Sequence, residues 1–356
     1  MTQSHLPIPC QTIGPVALCG DIEGSVHVPL ATFETPLWPS TNRGAKVSRL
    51  CGGIQVTLIN ECMTRSIVVE GPDAATVNQI VQDLEKQEKT LQSLVAGTSR
   101  FAKLKSYHTQ IVGNLLYLRL AVQTGDASGH NMATKAADSV IKWLCHHYPE
   151  LSYVSISGNF CVDKKTSAVN GILGRGKNVV ADITIPKDIC QSVLKTTPLA
   201  IHKLHIKKNL VGSLVAGSLR TANAHFANIL FAAYLATGQD VANIVEGSQG
   251  IVHTDIRPDG SLYFSVTLPN LIVGTVGNGK HLPFVKKHLD MLGCSNDGDA
   301  GSSGRRLALI IAATVLCGEV SLLAAQTNPG ELMQAHTDFE RGEATYREAK
   351  HTETVA

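Results

Sequence analysis

Charge is scarce in this chain. Only 17% of its 356 residues are Asp, Glu, Lys or Arg, against roughly 25% in an average soluble protein. The 31 basic and 29 acidic residues nearly cancel and leave +2 at pH 7, so no global field favours a nucleic-acid partner. Low charge beside 44% hydrophobic residues excludes intrinsic disorder and argues against a coiled coil. Nine cysteines are present but no CxxC pair. Neither a zinc site nor a redox motif is signalled, so no metal is expected, and free thiols in a reducing cytosol are the plain reading. The start, MTQSHLPIPC, has no positive segment and no apolar run, so it does not read as a signal peptide. The longest apolar stretch, Leu307 to Cys317, is too short to span a bilayer and reads as a buried helix. The end, HTETVA, matches no lipidation signal. A cytoplasmic protein without a membrane partner is expected.

Glycine, by contrast, is plentiful. It fills 31 of 356 positions, above the usual ~7%. Low charge and excess glycine together suggest an oligomer that buries surface and a backbone that approaches a ligand closely. The length suggests one large domain or two smaller ones.

Residues 1–65 read as turn-rich with short strands such as Ile54–Ile59. Ser66–Glu70 is a β-branched strand, followed by Asp73 as a helix cap. Val77, Ile80, Val81, Leu84, Leu91, Leu94 and Val95 share one face of the next helix, which Gly97 ends. Strands near Leu104–Val112 and Leu115–Gln123 meet at Gly113-Asn114, a hairpin signal. TGDASGHN then turns into a helix over about 131–147, and Leu151–Ser157 is a last strand. The order βαββαβ is the ferredoxin-like arrangement. The fold class is therefore α/β (α+β), with this module at 66–157 inserted in a larger α/β domain formed by 1–65 and 158–341. A polar tail occupies 342–356. Beyond the module, Val179–Ile185, Leu262–Leu268 and Leu271–Val276 read as strands. Lys187–Lys195, about 305–326 and 330–341 read as helices, with 295–306 as a mobile-looking loop. The third strand of the module, LLYLRLAVQ, lacks the aromatic pattern of an RNA-binding sheet.

Several segments carry candidate chemistry. Asp163-Lys164-Lys165, Arg175, Lys177 and Lys207-Lys208 border glycine and apolar sequence rather than other charges. They suit an anionic substrate, and a lysine against buried surface suits a developing oxyanion. A solvated basic face is the plainer alternative. TGDASGHN runs into a helix whose N-terminus could hold a phosphate, or it is an ordinary turn. Gly274 to Gly279 suits close backbone approach or a simple β-turn. His225 and Asn228 lie three apart on an apolar helix, with Asp240 beyond its end. Glu34 sits with Arg43 in what reads as a loop, and His336 lies on the last helix. None of these means much alone.

Their order along the chain does. PLATFETPLWPSTNRGAK, MTRSIVVEGP, TSRFAKL, TGDASGHNM, SGNFCVDKK, GRGKNVV, LKTTP, KKNLVGS, NAHFANI, ATGQD, GTVGNGK and CGEVSLLAA follow one another from about Pro7 to Arg341. This succession resembles the catalytic domain of class I 3-hydroxy-3-methylglutaryl-coenzyme A (HMG-CoA) reductase. The resemblance implies a large α/β domain with an inserted ferredoxin-like NADP(H)-binding domain. It implies reduction of HMG-CoA to mevalonate and free coenzyme A, with NADPH as cofactor. It also implies a homodimer or homotetramer with active sites between subunits.

Roles follow from the same resemblance, position by position. Glu34 matches the acidic proton donor and Lys164 the oxyanion-stabilising lysine. Asp240 matches the aspartate coupling them, and His336 the histidine that protonates the coenzyme A thiolate. Substrate-acid contacts match Arg65, Ser157, Asp163, Lys165, Lys208 and Asn228. Coenzyme A contacts match Ser40, Asn42, Arg43 and Lys195. NADPH contacts match Ser99, Arg100, Phe101, Asp126, Gly129, Asn131 and Gly277. Chemically, hydride reduction of the thioester gives a hemithioacetal, whose oxyanion needs a cation. The released mevaldehyde takes a second hydride and a proton. Glu34 donates only if its pKa is raised. Burial and the like charge of Asp240 would raise it, while Lys164 opposes.

The chain also departs from that pattern. Ser128 and His130 stand where class I enzymes usually carry methionine, and Arg220-Thr221 replaces two glycines. Asn278 replaces a glycine, Ile244 an asparagine and Glu340 an asparagine. These departures leave open a non-catalytic or regulatory homologue that binds coenzyme A ligands. They also leave open a reductase with shifted cofactor or thioester preference.

Overall fold

The computed structural model describes residues 6–338. The expected tail at 342–356, Glu340 and the end of the helix expected at 330–341 lie outside those residues, as does the side chain of His336. The chain opens with two long strands, β1 (Cys10–Gly20) and β2 (Gly24–Ala31), paired antiparallel. Helix α1 (Leu37–Leu50) follows. A loop was expected over part of it, because the Pro, Ser, Thr and Asn of LWPSTN are poor helix formers. Tertiary packing wins here. Gly44 lets α1 lie so close to a later helix that a Cβ there would fall 2.1 Å from the carbonyl oxygen of Cys317.

Strand β3 runs unbroken from Ile54 to Glu70, where two separate short strands were expected. Its first half pairs parallel with β1 at Leu18↔Ile54, and antiparallel with a later strand as far as Cys62↔Gly176. From Met63 onward it changes partners. Helices α2 (Ala74–Leu84) and α3 (Glu88–Ala96) follow, separated by a 3-10 turn at Glu85–Gln87 rather than joined as one helix. Asp73 caps α2 by accepting a hydrogen bond from the Thr76 amide. Then come β4 (Lys103–Val112), β5 (Leu115–Gln123), α4 (His130–His147) and the short β6 (Ser152–Ser155). The second half of β3 pairs antiparallel with β5 and β6, and β5 pairs with β4. The resulting order, β6-β3-β5-β4, is that of a ferredoxin-like sheet.

The remaining elements return to the first sheet. They are α5 (Ala168–Leu173), β7 (Gly176–Ile185), α6 (Lys187–Ser192), α7 (Pro198–His205), a π-helical turn at Ile206–Gly212 and α8 (Ser213–Val215). Next come α9 (Phe226–Ala236), a 3-10 turn at Val241–Asn243, α10 (Ile244–Gly247), β8 (Ile251–Ile256) and β9 (Leu262–Leu271). The chain then forms α11 (Pro283–Met291), α12 (Ser302–Gln326) and α13 (Glu331–His336). The larger sheet has the order β2-β1-β3-β7-β9-β8. β9 ends at Leu271, so the strand expected over Leu271–Val276 is absent, and β8 is present where none was anticipated. The segment read as a mobile loop at 295–306 is tied down. The Asn296 amide donates to Ser303 Oγ, and α12 begins at Ser302.

Each sheet has its own apolar core. Val56, Val179, Phe264 and Leu307 belong to the first, and Ile67, Leu118, Val140 and Leu144 to the second. The centre of the first is α12, in which every residue from Leu307 to Ser321 is buried. By length and composition α12 could cross a membrane, but 94% of its most apolar window is covered by protein. The hydrophobic effect holds it as a core helix, each fully buried leucine contributing about 1.5–3 kcal/mol.

Candidate functional site

The segment leaving β6 carries much of the expected chemistry. Three of its non-glycine residues are left-handed: Asn159 (φ 59°), Val162 (φ 46°) and Lys164 (φ 57°). Such a conformation is costly for a β-branched residue, and strained positions of this kind cost about 1–3 kcal/mol each. The left-handed turn sends the Lys164 ammonium to Asp240, with Nζ 2.7 Å from Oδ2. Asp240 itself begins the 3-10 turn after α9, accepting from the Ala242 amide. Burial would raise its carboxyl, but the Lys164 hydrogen bond and charge hold it below the usual value.

Lys164 and Asp240 line a cavity of about 420 Å³ with Arg65, Asp163, Gly129, Asn131, Gly277 and Lys280. Arg65 comes from β3 and donates to Thr134 Oγ1 on α4 and, at 3.3 Å, to Ser157 Oγ. Lys165 Nζ bonds the Asp163 carbonyl. Lys280 donates to the Gly238 carbonyl, and burial pushes its ammonium down to about 8. His130 also faces this cavity, its Nε2 3.6 Å from Asp163 Oδ1. The neighbouring His130 ring, opposed by burial and helped by the Arg175 charge, holds the Asp163 carboxyl far below the usual range.

Glu34 lines a different cavity, also about 420 Å³, with Ser40, Arg43, His225, Asn228 and Glu331. Its carboxylate accepts from Asn228 Nδ2 at 3.0 Å. His225 is the N-cap of α9 rather than a residue on its face. Arg43 is held by Glu331 at 2.7 Å and by Ser321, and Ser40 also meets Ser321. Asn42 accepts from the Gly14 amide. Lys195 is left-handed (φ 58°) and its carbonyl accepts from Asn328. Lys208, half-buried on the π-helical turn, helps offset the burial that raises the Glu319 carboxyl. The cations matched to substrate and coenzyme A are split within one chain: Arg65 and Lys164 share one cavity, and Arg43 lines the other.

At the start of α4, Gly129 is a left-handed N-cap (φ 98°), and a Cβ there would fall 2.6 Å from Thr124 Oγ1. Asn131 is on the first turn of that helix and Gly277 (φ 103°) faces open space. Asp126 turns its two carboxylate oxygens to the amides of Gly301 and Gly304 at the head of α12. The Phe101 ring lies beside Gly125, with Arg100 stacked on it at 4.6 Å and Ser99 Oγ accepting the Phe101 amide. Arg175 and Lys177, grouped in the sequence with cations for an anionic substrate and alternatively a solvated basic face, are buried, which excludes the solvated alternative for these two. Sequence reasoning missed Glu246, Asn170, His130 as a partner of Asp163, and Lys280. No local motif marks Glu246, which stands 82 residues from the lysine whose amide it accepts.

An ion-paired lysine, an arginine and a helix N-terminus opening on one cavity, carried on a mixed sheet joined to a ferredoxin-like sheet, define an α/β enzyme for an anionic substrate. The comparisons are more specific. The family model for hydroxymethylglutaryl-coenzyme A reductase matches residues 2–341. The chain is 44% identical over 321 residues to the 3-hydroxy-3-methylglutaryl-coenzyme A reductase of Pyrococcus horikoshii, covering 89% of this chain and 78% of that one. It is 43% identical over 338 residues to the Aeropyrum pernix reductase, covering 94% and 80%. In fold it is similar to the class II reductase of Streptococcus pneumoniae bound to NADPH, with TM-score 0.73 and 19% identity over 92% of this chain and 78% of that one. The chain belongs to the hydroxymethylglutaryl-coenzyme A reductase family.

Proposed function

We propose that this protein is a class I, cytoplasmic reductase that converts HMG-CoA to mevalonate and free coenzyme A with NADPH. The observation that carries this reading is the 2.7 Å Lys164–Asp240 pair in a cavity that also holds Arg65 and the start of α4. Arg65, Ser157, Asp163 and Lys165 bind the substrate acid, with Lys208 and Asn228. Lys164 stabilises the oxyanion as the thioester and then the aldehyde are reduced, and Asp240 holds its ammonium in place. Glu34 donates the proton to the aldehyde oxygen, and His336 protonates the departing thiolate. Ser40, Asn42, Arg43 and Lys195 hold coenzyme A.

The residues at the head of α4 fit a dinucleotide. Gly129 leaves room where a side chain would clash, the helix N-terminus favours a phosphate, and Gly277 lies open opposite. When bound there, NADPH supplies hydride. Gly129, Asn131 and Gly277 line its cavity, while Ser99, Arg100 and Phe101 border the turn before it. Asp126 fixes that turn to α12.

The domain assignment rests on the two cores: 66–157 as the NADP(H)-binding unit, 1–65 with 158–341 as the substrate unit. We further propose a homodimer or homotetramer in which Glu34 and Asn228 of one subunit meet Lys164 and Asp240 of another. The separation of these pairs into two cavities supports it. So does the exposed apolar run of Val211, Leu214, Val215 and Leu219, with Leu214 81% and Val215 83% exposed. The test is loss of NADPH absorbance on adding HMG-CoA, repeated with NADH. Two NADPH should be oxidised per thioester (about two by the stoichiometry of successive hydride steps). No oxidation with either nucleotide would end the reading.

A further inference from the structure

Behind the Lys164 segment lies a carboxylate with no solvent exposure, Glu246 at the end of α10. Its Oε1 accepts from Arg175 Nη1 at 2.7 Å and from the Lys164 backbone amide at 3.2 Å. Its Oε2 faces Asn170 Nδ2 at 3.5 Å. Asn170, fully buried on α5, also donates Nδ2 to the carbonyls of Cys161 and Val162, at 3.1 and 3.0 Å. Arg175 in turn reaches back to the same segment, with Nη1 2.9 Å from Asp163 Oδ1. The carboxylate and the amide side chain thus hold residues 161, 162 and 164 by their backbone, and Arg175 holds the side chain of 163. Two of these four residues are left-handed.

We propose that Glu246, with Arg175 and Asn170, is a positioning residue for the reduction: it fixes the left-handed backbone that aims Lys164 at Asp240. The physical argument is one of direction. Relaxing Lys164 to the right-handed region rotates its Cα–Cβ bond and takes the ammonium away from Asp240. Every hydrogen-bond partner of the Glu246 carboxylate is a donor, so an acid with two acceptor oxygens fits and an amide does not. A glutamine there would set its NH2 against the NH2 of Asn170 and leave Arg175 with one acid.

The proposal rests on the reductase reading, so turnover of the unaltered protein is measured first. Its absence would count against that reading rather than against the clamp. Then Glu246→Gln and Arg175→Lys are compared with it in folded form, checked by circular dichroism. The expected result is kcat about tenfold or more lower with the KM for NADPH within about twofold, since the dinucleotide side is untouched. Amide exchange of residues 161–164 should accelerate in Glu246→Gln while α12 stays protected. In the unaltered protein the Lys164 amide should exchange about a hundredfold or more slower than an open loop amide. That arm decides the matter should neither variant fold. A folded Glu246→Gln with kcat within about twofold of the original, or a Lys164 amide that exchanges freely, would overturn the proposal.

Discussion

At the scale of single residues, the site depends on charges placed by strained backbone. Lys164→Ala should lower kcat by roughly 10²–10³, as removal of a preorganised oxyanion partner does elsewhere. Steady-state NADPH oxidation measures it, and full turnover in the variant would remove the oxyanion role. Glu246 adds a pH signature. Burial pushes its carboxyl up to about 7 from an ordinary 4.5, with Arg175 and the Lys164 amide opposing and Asp163 assisting. The charged or titratable groups facing it are Arg175, Asp163, Lys164 and, from α9, Tyr234. A raised folded-state pKa means the folded protein binds this proton more tightly than the unfolded chain. Its contribution to stability therefore grows as pH falls from about 7 toward 4.5. Asp163 has the opposite shift and costs stability only below its ordinary 3.8. Stability from this group should rise between pH 7.5 and 5.5 (about the window its shift opens) while kcat falls, because the protonated acid loses its charge on Arg175. Urea titrations and kcat against pH test the pair of trends, and Glu246→Gln should flatten both. Of these residues, Lys164, Asp163 and Asp240 were legible in the sequence through their motifs. Glu246 and Asn170 were not, because a buried polar partner leaves no local periodicity and is chosen by the fold.

At the scale of elements, close approach replaces propensity. Gly44 on α1 faces the Cys317 backbone, so Gly44→Ala should destabilise by about 3 kcal/mol or more through overpacking. A urea midpoint unchanged from the parent would contradict that contact. Gly129→Ala meets both a positive φ and Thr124, so the first turn of α4 should shift. The expected result is a higher KM for NADPH, by about tenfold or more, with a smaller loss of stability. The βαββαβ order was legible because the Asp73 cap, the apolar face from Val77 to Val95 and the Gly113-Asn114 hairpin signal mark its elements in turn. The continuity of β3 was not. Its polar middle, Asn60-Glu61, reads as a break, yet these residues pair with β7 where two sheets share one strand. Likewise α1 was hidden by its proline, serine and asparagine, which suit a helix only once α12 covers it.

For the whole molecule, Glu34 and Asn228 line one cavity and Lys164 and Asp240 another, so the proposed chemistry needs the proposed assembly. Glu34→Gln and Lys164→Ala chains, each inactive alone, should regain about a quarter of full activity when co-expressed, if each site draws on two subunits. Sedimentation and NADPH oxidation on the mixture check this, and sites confined to one chain would give no recovery. Leu214→Asp with Val215→Asp should yield monomers and remove activity without unfolding either core. The scarcity of charge noted in the sequence finds a partial account here, since α12 alone buries an unbroken run from Leu307 to Ser321. The sequence by itself determined the family and the βαββαβ order of one part of the fold, because ordered motifs and local pattern encode these directly. Only the tertiary structure decided which groups share a cavity, that Arg175 and Lys177 are buried, and that Glu246 holds the Lys164 segment. Those are contacts between residues far apart in the chain, set by how two cores pack around one strand.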